Sequence, residues 1–192
     1  MICALASASS RRACAQQVAD SGFVPATGPA RWPLGTGPML ALDEAHSNFH
    51  TLDGRYLVFG RMASGIGFQV APLRSAFTDE SLRDVKVLVI ANALNARNAK
   101  NNWALPTPSA FTASEIAAVR RFIERGGGLL LVADHMPFAG AAEDLGRAVG
   151  VQFANGYAFE SYAPDAVSIL SYRQRGGLVS PLTTPKTGAL RG

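Results

Sequence analysis

A three-layer α/β fold built on a mostly parallel sheet is what this 192-residue sequence predicts, and three observations predict it. Val85–Ile90 reads Val-Lys-Val-Leu-Val-Ile, a β-branched run bounded by Asp84 and Asn92 that marks a central strand. Thr112 followed by Glu115 matches the Ser/Thr-x-x-Glu capping box, and Ile116, Val119, Phe122 and Ile123 then form one apolar helix face. Leu129–Ala133 (Leu-Leu-Leu-Val-Ala) is apolar without alternation, as in a sheet buried on both faces. Strand, helix and strand at these spacings favour parallel pairing through right-handed crossovers.

The elements follow in order. Four prolines and four glycines between residues 21 and 38 exclude a regular element there. Met39–Leu42 is a short buried strand ending at Asp43-Glu44, and Ala45–Thr51 is a polar loop. Tyr56–Ser64, with Leu57, Phe59 and Met62, reads as a helix punctuated by Gly65 and Gly67; Phe68-Gln69-Val70 begins a second strand. Phe77–Leu82 is a link or a turn of helix before the Val85–Ile90 strand. Asn92–Pro108 is a long polar loop with five asparagines and Trp103. Arg125-Gly126-Gly127-Gly128 stops the helix that Thr112 or Ser114 opens. Asp134-His135-Met136-Pro137 ends the Leu129–Ala133 strand, Ala141–Val149 is a small-residue helix, and Gly150–Phe153 returns toward the sheet. The organisation expected is a poorly structured leader or export-signal remnant at 1–20, a single α/β domain at 21–170 and an irregular tail at 171–192.

Charge narrows the function. The formal net charge is +4, from 18 Lys and Arg against 14 Asp and Glu. Arg11, Arg12, Arg173, Arg175, Lys186 and Arg191 lie at the two acid-free ends; without these six, 12 basic residues face the same 14 acidic ones, net −2. A near-neutral body with no basic run among aromatics speaks against nucleic-acid binding. No run of eighteen apolar residues offers a transmembrane segment. Cys3 and Cys14 are the two cysteines, so the body has no thiol nucleophile and no disulfide.

The chemistry-bearing residues gather just after the strands. His46 and His50 follow the first strand with Asp43 and Glu44, Asn92 follows Val85–Ile90, and Asp134-His135 follow Leu129–Ala133. In the flavodoxin-like strand order 2-1-3-4 the carboxyl ends of these strands share one edge, where ligands of open α/β sheets bind. Three readings stand side by side. Glu44, His46, Asp134 and His135 suit acid–base catalysis, with Asp134 or Glu44 orienting His135 or His46 toward a water or substrate. His46, His50 and His135 are ligand types for a divalent metal, although Glu-x-His-x-Asn-x-His matches no established ligand spacing. Alternatively, these histidines only bridge loops through hydrogen bonds. Asn48, His50, Asn92, Trp103 and Gly140 are the candidate substrate-binding residues. Trp103 serves as a lid, as a ligand-stacking residue or as the anchor of its loop. Gly140, in Phe138-Ala139-Gly140-Ala141-Ala142, either lets a ligand approach helix N–H groups or packs closely. There is no Gly-x-Ser-x-Gly, and Ser47 and Ser64 sit in no nucleophile motif.

Three blocks carry a resemblance: Leu42–Thr51 (Leu-Asp-Glu-Ala-His-Ser-Asn-Phe-His-Thr), Val87–Leu94, and Gly126–Phe138. Together they resemble the uncharacterised bacterial DUF4350 proteins, which are similar to the class I glutamine amidotransferase superfamily, across roughly residues 15–160. The resemblance implies the flavodoxin-like sheet. It implies export or lipid anchoring, hence a periplasmic or membrane-anchored protein, against a cytoplasmic one if the start is no working signal; Arg11-Arg12 before Ala13-Cys14 departs from a lipobox. It also implies a chain lacking its C-terminal portion. It does not imply glutamine hydrolysis, because that chemistry uses a cysteine after a central strand and this body has none. The expectation is a ligand-binding, non-catalytic amidotransferase-like domain with a polar cleft for a small polar ligand. The alternatives are a metal- or carboxylate-assisted hydrolase acting on a small polar or saccharide-like substrate, and a structural or truncated inactive protein. No cofactor is required by the sequence.

Overall fold

The computed structural model describes residues 18–100 and 102–157. The expected leader lies outside these apart from residues 18–20, and the expected tail lies wholly outside. Contacts divide the chain after Gly156, and the fold described is that of the first unit.

The described residues form four parallel strands and three α-helices, which alternate except that the second strand leads directly to the third. They are β1 (Met39–Asp43), α1 (Leu57–Gly65), β2 (Gln69–Leu73), β3 (Val85–Ala91), α2 (Ala113–Glu124), β4 (Gly128–Val132) and α3 (Phe138–Ala148). The strand order is β2-β1-β3-β4. This is a three-layer α/β fold of flavodoxin-like topology, as the sequence leads one to expect. Residues 18–38 hold no helix or strand, in keeping with their prolines and glycines.

Strand alternation divides the core between the two faces of the sheet. Ala41, Leu88 and Ile90 point to one face and pack with Ala118, Val119 and Phe122 of α2 and Leu145 of α3. Leu40, Leu42 and Val89 point to the other face and pack with Ala63 of α1. The central strands therefore need apolar residues at every position, which is the run read in the sequence. Each fully buried Leu or Val contributes about 1.5–3 kcal/mol of apolar burial.

β4 departs from that expectation. Leu130 pairs in register with Val89 and so shares the α1 side of the sheet, yet it is 43% exposed. α1 packs over β1, β2 and β3, and no described helix covers β4 on that side. Leu129 and Leu131 face α2 and α3 and pack into the core.

Two smaller differences concern α3. It begins at Phe138, three residues before the expected start, with the Phe138 and Ala139 N–H groups turned onto His135 O. Gly150–Phe153 does not join the sheet. Gly150 takes φ +84°, and the Val151 N–H donates to Gly146 O at 2.8 Å, folding the segment back on α3. Phe153 then rests where a Cβ on Gly146 would be. The expected capping box is present in full: Thr112 Oγ1 accepts from the Glu115 N–H while the Glu115 side chain accepts from the Thr112 N–H.

Candidate functional site

Parallel pairing brings the ends of β1, β3 and β4 to one edge, and two polar networks form there. The first is closed. Asp43, the last residue of β1, is fully buried. Its Oδ1 accepts from the Ala45 N–H at 3.1 Å and from His46 Nδ1 at 2.8 Å, and its Oδ2 accepts from Asn48 Nδ2 at 2.9 Å. Asn48 Oδ1 accepts in turn from the His46 N–H at 3.0 Å. The other ring nitrogen of His46, Nε2, lies 2.8 Å from Glu115 Oε1. Glu115 has no spare capacity: Oε1 also accepts from the Phe77 N–H, and Oε2 accepts from the Thr112 N–H and hydroxyl. The rings of Phe77 and Phe111 cover His46 at 4.6 and 4.8 Å.

The electrostatics follow from this enclosure. Burial opposes a charge on His46, but the hydrogen bonds and charges of Asp43, and then of Glu115, outweigh it and raise its pKa. Burial likewise opposes a charged Glu115; the Thr112 backbone and hydroxyl bonds and the His46 bond overcome it and lower its pKa from 4.5 to about 2. With a carboxylate at each nitrogen, His46 is held as an imidazolium that links the β1 loop to α2.

The second network joins β3 and β4. Asn92, the residue after β3, is buried and adopts φ +49°, a conformation asparagine tolerates better than most side chains. Its N–H donates to Val132 O, and its carbonyl accepts from the Phe49 N–H. Its Oδ1 accepts from the Asp134 N–H at 3.0 Å, and its Nδ2 donates to Asp134 Oδ2 at 3.0 Å and to His50 Nε2 at 3.1 Å. The two bonds to Asp134 fix the amide orientation. His50 must then accept at Nε2, which places its proton on Nδ1 and keeps the ring neutral. Its pKa is lowered by burial and then by the charge of Arg55, against the pull of Asp134. His50 Nδ1 is buried with no hydrogen-bond partner. The Tyr56 ring stacks on His50 at 4.7 Å and 17°, and its pKa is raised by burial and by Asp134. Arg55 lies with its guanidinium carbon 3.7 Å from the Phe49 ring centre and donates to Phe49 O.

Aromatic residues extend this edge. Trp103 lies 5.7 Å from the His135 ring, 5.5 Å from Phe138 and 6.1 Å from Phe49. His135 Nδ1 is 2.6 Å from Met136 O. The asparagine-rich loop that presents Trp103 is held from within: Asn98 Nδ2 donates to Asn102 O and Ala104 O, and Asn95 Nδ2 donates to Ser109 O.

The structure thus joins Asn92, His50 and Asp134 directly and sets His135 and Trp103 beside them. His46 and Asn48 belong to the closed network. Glu44 turns away from both: Oε1 accepts from the Leu52 N–H at 2.8 Å, and Oε2 pairs with Arg74 at 2.9 Å. Gly140 packs closely, its N–H donating to Asn155 Oδ1 at 3.0 Å. A Cβ there would meet Thr107 Oγ1 at 2.1 Å and the Asn155 amide at 2.6 Å. Among the described residues no group of three or more His, Cys, Asp or Glu side chains gathers to hold a metal ion, and the candidate ligands His46, His50 and His135 have separate partners. No helix among the described residues is long and apolar enough to cross a membrane.

Sequence reasoning overlooked Glu115, Tyr56 and Arg55 as participants. Glu115 was visible as the capping-box glutamate, but that motif accounts for only one of its oxygens. Tyr56 reads as the apolar start of a helix, and the stacking on His50 has no sequence signal.

Comparison with family models, with curated proteins and with solved structures gave no match in any of the three. The fold and the edge therefore define a class: a parallel α/β domain with a fixed polar cluster at the carboxyl ends of its strands.

Proposed function

We propose that this chain is a ligand-binding, non-catalytic domain of the class I glutamine amidotransferase-like kind, related to the DUF4350 proteins, which receives a small polar ligand at the strand-end edge. The observation that carries the reading is the Asn92 junction, which ties side chains from three strand-end loops into one rigid cluster beside an exposed carboxylate, Asp134. Open α/β sheets bind ligands at this edge. Binding is favoured over acid–base chemistry at His46, one of the acid–base candidates, because neither of its nitrogens keeps a free lone pair, and at its neighbour His50, whose one lone pair is engaged. His46 faces a carboxylate at each nitrogen, and His50 Nε2 accepts from Asn92.

The test is a ¹⁵N–¹H NMR titration of the full chain with acetate, propylamine, acetamide and propanediol. At least one probe is expected to shift the amides of His50, Asn92 and Asp134 together, with no product signals. Shifts confined to other parts of the chain, no shifts at all, or conversion of acetamide to acetate would each overturn the reading.

A further inference from the structure

We propose that the ligand class of this edge is a neutral polyhydroxylated ring, a saccharide unit, held by the Asp134 carboxylate and the half-buried rings of Tyr56 and Trp103. The inference rests on the site reading above and gives it a chemical class.

Asp134 is exposed, yet its carboxylate is not free to turn. Asn92 holds Oδ2 and the backbone N–H at once. Oδ1 takes no hydrogen bond among the described residues, which leaves a positioned acceptor for hydroxyl donors. The neighbouring surface is aromatic. Tyr56 stacks on His50, which shares the Asn92 amide with Asp134. Trp103 lies against His135, the residue after Asp134. Tyr56, His50, Trp103 and His135 are all only partly buried. A fixed carboxylate beside partly open rings suits a ligand with hydroxyls around its rim and C–H groups on its faces.

Charge decides among ligands of that shape. Arg55, with its guanidinium over the Phe49 ring, and Asp134, held by the Asn92 amide, bring opposite charges to this edge. A cationic ligand meets Arg55 as a like charge, and an anionic one meets Asp134. A neutral ring avoids both penalties. The buried donors His50 Nδ1 and Arg55 Nε have no accessible surface for a ligand atom, so they are no substitute for Asp134 as contact points.

The test is saturation-transfer NMR on the full chain with the methyl glycosides of glucose, galactose and mannose, set against glucuronate and glucosamine as charged counterparts. Saturation is expected on the ring C–H protons of at least one neutral glycoside, which binds more tightly than either charged sugar. Asp134→Asn and Trp103→Ala, each checked for native circular dichroism, are expected to weaken that binding about tenfold. Equal or tighter binding of a charged sugar, or unchanged affinity in Asp134→Asn, overturns the proposal. If no glycoside saturates while acetate, propylamine, acetamide or propanediol shifts the edge amides, the saccharide class fails and the site stands. If neither set acts at the edge, both fail.

Discussion

Asn92 concentrates the demands of the site in one residue. It leaves β3 in a left-handed conformation, is 1% exposed, and makes three side-chain hydrogen bonds. A side chain without that local tolerance loses about 1–2 kcal/mol in this conformation, and glycine loses almost none. Removal of the amide also strands the Asp134 N–H, at about 1–3 kcal/mol if it stays buried. Two substitutions separate the terms. Asn92→Gly and Asn92→Ala both lose the amide, and Asn92→Ala alone keeps the backbone cost. Urea denaturation is expected to show Asn92→Ala less stable than Asn92→Gly by about 1 kcal/mol, against the usual order of Ala over Gly in regular elements. Asn92→Ala equal to or above Asn92→Gly would remove strain from the account. The two histidines differ at the same scale: NMR titration should find His46 charging above the ordinary 6.5 and His50 below it.

Among the elements, the closed network works as a strut. Asp43 belongs to β1, His46 to the loop after it, Phe77 to the link before β3, and Glu115 to the first turn of α2. The strut depends on pH from both sides. His46 has a raised pKa, so its contribution is complete below about 6.5 and is lost as pH rises through the folded value. Glu115 has a lowered pKa, so its contribution is complete above 4.5 and is lost as pH falls toward about 2. Glu115→Gln keeps the shape and removes the charge. It is expected to lower stability at pH 6 by about 3 kcal/mol, because His46 keeps its charge with one partner gone. It should also flatten the acid limb of a thermal-unfolding profile between pH 2 and 4.5. A variant with the acid limb of the parent would show that Glu115 is not the titrating group.

Much of the strut was legible in fragments. The capping box identifies Thr112 and Glu115, and the cluster after β1 identifies His46. Their meeting was not legible, because it spans 69 residues and depends on how α2 docks. Adjacent residues posed the same difficulty. Asp43 and Glu44 are both acidic and both follow the apolar run, but only Asp43 faces His46. The turn that Asp43 Oδ1 makes with the Ala45 N–H holds it there, while Glu44 turns to Arg74. By contrast, the approach of Asn92, His50 and Asp134 follows from strand order alone, since parallel strands must end on a common edge. Strand order says nothing about which side chains point into ligand space.

Across the whole molecule, the sheet is unevenly covered. α2 and α3 pack on one face against β1, β3 and β4, and α1 packs on the other face over β1, β2 and β3. Leu88 in β3 is fully buried and lies within the larger core, whereas Leu130 in β4 is 43% exposed on the side without a described helix. The same residue type, in paired parallel strands, therefore carries very different energies. Leu88→Ala removes a buried side chain and leaves a cavity, at about 2–5 kcal/mol. Leu130→Ala gives up only part of a side chain already in contact with solvent, at about 1 kcal/mol or less. Equilibrium unfolding of the two variants in the full chain measures the contrast directly. A cost for Leu130→Ala approaching that of Leu88→Ala would mean that the Leu130 side of β4 is covered in solution. The core of the domain would then extend past the described helices, and β4 would be buried on both faces, as its unbroken apolar run suggests.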